Sequence, residues 1–314
     1  MNILFMGTPD FATASLRALL EAGKHVCAVV TQPDKARGRG MKVTYSDVKS
    51  FALENKLPVL QPETLKNEAF LPELERYKPD LIAVVAYGKI LPEYILNYPK
   101  YGCVNVHGSL LPKYRGAAPI QRTVLNGEKV GGVTTMRLDK GMDTGDMYFS
   151  EAVEVGENMT TGELFDVLSA IGGRLLVKTA DALESGTARP IPQDHALATH
   201  ADKITPEECL VDFSLSAQEV HNRIRGLSPF PGAFAYLDGK VVKLYDSRIV
   251  ASSQAQAPGT VTEASRDGVV VACGVGAVRL LSFKPEGKGI LTAADMVNGR
   301  KIAVGKSFES IKGC

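Results

Sequence analysis

The run "DLIAVVA" at residues 80–86 and the run "GCVNVH" at residues 102–107 are apolar, β-branched and of strand length. Upstream, "NILFMG" reads as a strand that stops at Gly7, and "DFATASLRALLEAG" as a helix closed by Gly23. "HVCAVVTQ" is a second strand, followed by a polar loop and the helical stretch "SDVKSFALENK". Downstream come a helix candidate in "APIQRTVLNG", a strand in "GGVTTMRL" and a long helix in "MTTGELFDVLSAIGGRLLVKTADALESG". Strands alternating with helices specify βαβ units, so residues 1–190 are expected to form an α/β, Rossmann-like domain with a mainly parallel sheet.

The texture changes at Ile191. "PIPQDHALATHADKITPEE" carries three prolines and no strong period, so residues 191–206 read as a linker. Beyond it, "GAFAYL" and "KVVKLYD" flank Asp238-Gly239, a hairpin signal, and further short strands follow in "GTVTEA", "DGVVVACG" and "AVRLLSF". Residues 207–314 are therefore expected to form a small C-terminal β-barrel of OB type.

Composition bounds the function. A chain of 314 residues exceeds one ordinary core, in keeping with two domains. It is 45% hydrophobic and 23% charged, the balance of a globular protein, with no internal repeat or low-complexity segment. No apolar run is long enough to cross a bilayer, and "MNILFMGTPD" lacks the basic start of a secretory signal. The five cysteines are scattered without a C-x-x-C pair, which fits reduced thiols and a cytoplasmic location and argues against a zinc ribbon. A net charge of +1 excludes a highly basic nucleic-acid coat but leaves room for a local basic patch.

Four stretches carry chemistry. "MGTPDF" at the first strand-to-helix turn has one glycine where a dinucleotide fingerprint wants three, and the second strand ends without an acidic ribose ligand. "PDKARGRGMK" interleaves Lys35, Arg37, Arg39 and Lys42 with two glycines; this is either a solvated loop or a phosphate contact. In "NVHGSLLPKYRGAAPIQR", residues 105–122, Asn105 and His107 share one strand face while Val104 and Val106 share the other. They stand at the carboxyl end of a parallel strand, where α/β sheets place ligands. "LDKGMDTGDMY" then offers Asp139, Asp143 and Asp146, one of which would orient the imidazole; spacing alone leaves the choice open. The acidic loop lacks the distal Glu of a calcium site, and the five histidines form no zinc pattern.

Taken together, "GTPDF", "QPDKARGRG", "VVAYGKILP", "NVHGSLLPKYRGAAPIQR" and "GMDTGDM" resemble the methionyl-tRNA formyltransferase family, in order and over nearly the whole chain. The resemblance implies transfer of the formyl group of 10-formyltetrahydrofolate to the amino group of methionyl-initiator tRNA in translation initiation, without a metal. It implies Asn105, His107 and Asp143 as the catalytic set, and Ser109, Leu110, Leu111 and Pro112 as lining for the folate. It places Lys35, Arg37, Arg39 and Lys42 near the tRNA, and Phe11 near the methionyl side chain. A cytoplasmic monomer with no membrane partner is expected, its barrel binding tRNA.

The residue types suit that chemistry. An amine attacking a formyl carbon creates an oxyanion, and one donor such as the Asn105 amide is worth ~3 kcal/mol to it. A placed acid–base group such as His107 contributes roughly 10²–10⁴-fold. Two other readings remain: formyl transfer to a small amine such as a sugar nucleotide or glycinamide nucleotide, and a tRNA-binding protein without activity. The basic loop and extra domain disfavour the first, and the complete Asn–His–Asp set disfavours the second.

Overall fold

The computed structural model describes residues 1–37, 42–251 and 256–310, and its chain divides into two units. The first comprises Met1–Pro119, Gly131–Val153 and Phe165–Ala201; the second comprises Ile120–Val130, Glu154–Leu164 and Asp202–Cys314.

The main sheet of the first unit is built from β1 (Asn2–Gly7), β2 (His25–Val30), β3 (Val59–Leu60), β4 (Leu81–Val85), β5 (Cys103–His107), β6 (Val130–Arg137) and β7 (Met147–Glu154). They form one sheet in the order β7-β6-β5-β4-β1-β2-β3. The five strands from β3 to β5 run parallel, and β6 pairs antiparallel with β5. All five residues of β4 are buried, as expected of a central parallel strand covered on both faces.

Helices α1 (Asp10–Glu21), α2 (Asp47–Glu54), α3 (Leu71–Tyr77) and α4 (Glu93–Leu96) connect the parallel strands. Helix α5 (Pro119–Leu125) follows β5, and α6 (Thr161–Glu184) follows β7. Two adjacent glycines of α6 set its packing. A Cβ on Gly172 would stand 2.7 Å from Val106, and one on Gly173 would stand 2.9 Å from Ala18 of α1. Val106 therefore faces α6, which leaves Asn105 and His107 on the opposite face of β5.

Residues 191–201, expected as linker, are ordered within the first unit. Ile191 bridges Met147, and the two-residue strand His200–Ala201 pairs in parallel with Arg115–Gly116. Their backbone groups find partners on that unit, which a free linker would have left to water. β7 also goes beyond the strands read from the sequence; its outer positions alternate with half-buried ones, giving a weak apolar signal.

In the second unit, α7 (Ala217–Gly226) opens with a capping box between Ser216 and Glu219. The strands β8 (Ala233–Leu237), β9 (Lys240–Val250), β10 (Val261–Ser265), β11 (Gly268–Ala272), β12 (Ala277–Pro285) and β13 (Phe308–Glu309) form an antiparallel sheet in the order β10-β11-β12-β9-β8-β13. Asp238 and Gly239 both take positive φ, the turn that their pairing forecasts. The sheet curls until its ends meet: Thr260 bridges Ser307, and Val261 N–H donates to Lys306 O at 2.8 Å. Phe213, Ile224, Leu244, Leu280 and Phe283 are among the side chains buried inside the curl. Helix α8 (Ala293–Asn298) starts from a second capping box, Thr292 with Asp295.

Candidate active site

His107 is the last residue of β5 and is buried. Its Nε2 lies 2.8 Å from Tyr114 O. A carbonyl only accepts, so Nε2 carries the proton and the neutral ring has its lone pair at Nδ1. That Nδ1 stands 3.7 Å from Asp143 Oδ2, beyond hydrogen-bond length but within ion-pair range. The same Oδ2 accepts the Gly116 N–H at 2.8 Å. Asn105, two residues before His107, is half-buried, and its side-chain amide makes no hydrogen bond among the described residues.

Both partners of the imidazole come from loops held in fixed shape. Thr134, opposite His107 in β6, donates its hydroxyl to Ser109 O at 2.8 Å and accepts Leu111 N–H at 3.2 Å. Ser109 is buried and donates its own hydroxyl to Lys113 O at 2.6 Å. Its side chain thus closes the 109–113 turn. Leu110 lies over Gly132, where any Cβ would collide with it, while Leu111 is buried and Pro112 half-buried.

Asp143 takes a left-handed φ of 54°, uncommon for a residue with a side chain. A Cβ at Gly145 would collide with Arg137 O, so the loop passes close against the end of β6. Asp139, the competing carboxylate, is spent on its own loop: Oδ1 accepts Gly141 N–H at 2.9 Å and the Thr144 hydroxyl at 2.7 Å. Spacing left three aspartates open; of these, Asp143 is the one paired with His107.

Other expected site residues lie elsewhere in the first unit. Phe11, in the first turn of α1, is buried with its ring edge-on to Phe165 at 5.2 Å between centroids. Lys35, Arg37 and Lys42 belong to a short antiparallel hairpin, Lys35–Arg37 with Lys42–Thr44, in which Arg37 pairs with Lys42; Arg39 lies outside the described residues. Asp34 anchors the hairpin base. It pairs with Lys49 and accepts Gln61 Nε2 at 2.9 Å, and the Lys49 hydrogen bond, then that of Gln61, hold its carboxyl below the usual range. The Lys49 ammonium also sits 4.0 Å over the Tyr45 ring.

Four participants carry no signal of their role in the sequence: the Tyr114 carbonyl, the Gly116 amide, Arg115 and Gln193. Backbone groups carry no residue-type signal, and Gln193 sits in a proline-flanked stretch 50 residues beyond Asp143. Among the described residues, no three of His, Cys, Asp and Glu gather as a metal-binding group.

Comparison with known proteins fits these features. Residues 1–180 match the formyl transferase family model and residues 203–301 its C-terminal domain model. A methionyl-tRNA formyltransferase of Desulforamulus reducens is 45% identical over 316 residues, covering 100% of both chains. The chain belongs to the methionyl-tRNA formyltransferase family. A second member, from Acetivibrio thermocellus, is 45% identical over 98% of this chain and 99% of its own. Among solved structures, the sugar 3N-formyl transferase WlaRD, crystallised with dTDP and 5-N-formyl-THF, superposes with a TM-score of 0.65 at 19% identity. It covers 92% of this chain and 99% of its own. A methionyl-tRNA formyltransferase from Clostridium thermocellum gives 0.55 at 18%, covering 80% and 94%. These two speak for the formyltransferase fold alone.

Proposed function

We propose that this protein transfers the formyl group of 10-formyltetrahydrofolate to the amino group of methionyl-initiator tRNA, as a cytoplasmic monomer in translation initiation. The observation that carries the proposal is the end-to-end identity with methionyl-tRNA formyltransferases, in a chain that gathers Asn105, His107 and Asp143 at one strand end.

The folate supplies the formyl group; the chain must bind the carbonyl oxygen and take up the proton that the attacking amine sheds. The Asn105 amide, which makes no other hydrogen bond among the described residues, donates to that oxygen, an interaction worth ~3 kcal/mol when the charge develops. His107 has a single lone pair at Nδ1 because Tyr114 O holds Nε2–H, and it accepts the amine's proton there. The cation so formed faces the Asp143 carboxylate, which Gly116 keeps in position. Ser109, Leu110, Leu111 and Pro112, at the exit of β5, line the folate, and Phe11 borders the methionyl side chain. Lys35, Arg37, Arg39 and Lys42, with the curled C-terminal sheet, bind tRNA through its phosphates.

The test is to incubate the protein with 10-formyltetrahydrofolate and charged initiator tRNA and to measure formyl-methionine. Amino-sugar nucleotides serve as competing acceptors. Formylation of a sugar amine in preference to the tRNA would overturn the proposal.

A further inference from the structure

The buried carboxamide of Gln193 makes four hydrogen bonds, and all of them lead to the Asp143 loop or to its support. Its Nε2 donates to Asp143 O at 2.9 Å and to Gly145 O at 2.7 Å. Its Oε1 accepts from Arg115 Nε at 3.1 Å and Nη2 at 2.6 Å. Two donor hydrogens and two acceptor lone pairs are the full capacity of a primary amide. The group is saturated, and its orientation is fixed because Arg115 can only donate while the two carbonyls can only accept.

Arg115 is unusual in turn. It is buried, yet among the described residues it forms no ion pair; besides Gln193, its guanidinium meets His195, with Nη2 3.1 Å from Nδ1. Burying a guanidinium against a neutral amide is costly as a stabilising device. It makes sense as a device for holding one amide in one orientation, since the guanidinium fork offers parallel donors. The next residue, Gly116, supplies the N–H that grips Asp143 Oδ2. One dipeptide, Arg115-Gly116, therefore fixes the Asp143 carboxylate directly and its backbone through Gln193.

We infer that Gln193, oriented by Arg115, is a positioning residue that holds Asp143 in its left-handed conformation so that the carboxylate faces His107. The left-handed backbone is unfavourable for a residue with a side chain, because its Cβ crowds the following carbonyl. Hydrogen bonds to the carbonyls on both sides of Thr144 offset that cost by fixing the turn. Without them, Asp143 is free to return to an ordinary φ and carry its carboxylate away from the imidazole. This inference rests on the catalytic roles proposed above, but the geometry it concerns has a readout of its own.

The experiment uses the full chain with Gln193→Glu, Gln193→Ala and Asp143→Asn, singly and with each Gln193 variant combined with Asp143→Asn. Gln193→Glu keeps a partner for Arg115 and so guards the fold, but sets a second carboxylate oxygen against two carbonyls. Hydrogen exchange at the Gly116 amide reports its bond to Asp143, whether or not the protein is active. We expect protection of Gly116 in the unsubstituted protein and its loss in Gln193→Glu, with other strand amides still protected. Formyl transfer should lose about 10²-fold in kcat, the scale of an ångström misplacement, with both KM values unchanged. On the Asp143→Asn background the same substitution should cost almost nothing more in kcat, because its effect passes through Asp143. Retained Gly116 protection, or kcat losses that multiply in the double variant, would overturn the inference. An unsubstituted protein that protects Gly116 but transfers no formyl group would instead refute the proposed function and leave the clamp standing.

Discussion

His107 Nδ1 stands 3.7 Å from the same Asp143 oxygen that Gly116 N–H already holds at 2.8 Å. The carboxylate is thus anchored by a backbone donor, and it pairs with the imidazole by charge only once that ring has taken up a proton. This division assigns separate tasks: Tyr114 O sets the tautomer, and Asp143 compensates the cation that forms on proton uptake.

Removal of either group on that strand face should stop turnover without unfolding the sheet. We expect His107→Ala and Asn105→Ala each to lower kcat by about 10²-fold or more, from loss of the acid–base group or of the oxyanion donor. Steady-state kinetics beside a thermal melt checks this. A folded His107→Ala protein with near-normal turnover would remove the histidine from the mechanism.

Asp143 and Asp139 of the acidic loop should separate cleanly. Asp143→Asn should cost kcat on the scale of His107→Ala, since the neutral amide no longer compensates the imidazolium. Asp139→Asn should be mild, because its partners Gly141 and Thr144 lie within its own loop and its side chain is exposed. Comparison of kcat for the two variants decides; a more sensitive Asp139 would refute the assignment.

Asp34 gives an acid-side signature. Its carboxyl is held below the usual range by Lys49, so its folded form binds a proton less readily than the unfolded chain. The stabilisation is therefore complete above the ordinary carboxylate pKa of about 3.9 and fades as pH falls through the depressed value. Lys49→Met should lower Tm near neutral pH, and the gap from the unsubstituted protein should close in acid. Since Asp34 sits at the base of the basic hairpin, the variant should also raise KM for tRNA and leave that for folate unchanged.

Among the described residues the thiols should be inert. Burial pushes Cys103 up to about 12 and Cys273 to about 11, and raises Cys27 and Cys209. Only thiolate reacts with alkylating agents, so the native protein at mildly basic pH should be labelled at none of the four. Mass spectrometry after iodoacetamide treatment checks this; rapid labelling of Cys103 would show that β5 opens.

The legibility of this chain followed burial. The strands from β1 to β5 are apolar over most of their length because the sheet is covered on both faces, and their runs could be read directly. β7 alternates with solvent, so its sequence holds no apolar run that marks a strand. Helix α7 has no clear apolar stripe because it buries His221, Asn222 and Arg225 beside Val220 and Ile224. Hydrogen bonds make that possible: His221 Nε2 donates to Glu157 O at 3.0 Å, and Arg225 Nη1 to Met159 O at 3.0 Å. The capping box at Ser216 was the signal that could have found it. At the site, Asn105 and His107 were legible from strand alternation, whereas the choice of Asp143 over Asp139 depends on a loop conformation that no spacing encodes.

The last prediction concerns where the chain can be cut. A fragment ending at Pro190 keeps the whole sheet but lacks Gln193 and the strand His200–Ala201 that pairs with Arg115–Gly116. A fragment ending at Ile204 keeps both. Each leaves Arg122 without its Glu208 partner and exposes Leu125, which packs against Gly226, so both should melt below the full chain. The sheet and its helices still form a domain-sized core, so the longer fragment should fold and bind folate. The shorter one should fold less stably and lose protection at Gly116. Both should lose most tRNA affinity, because the curled sheet proposed to bind tRNA is gone. Calorimetry with folate, and tRNA binding at two salt concentrations, separates these outcomes. Equal Gly116 protection in the two fragments would show that residues 191–204 contribute nothing to the loop, and full tRNA affinity without the sheet would leave that unit with no assigned role.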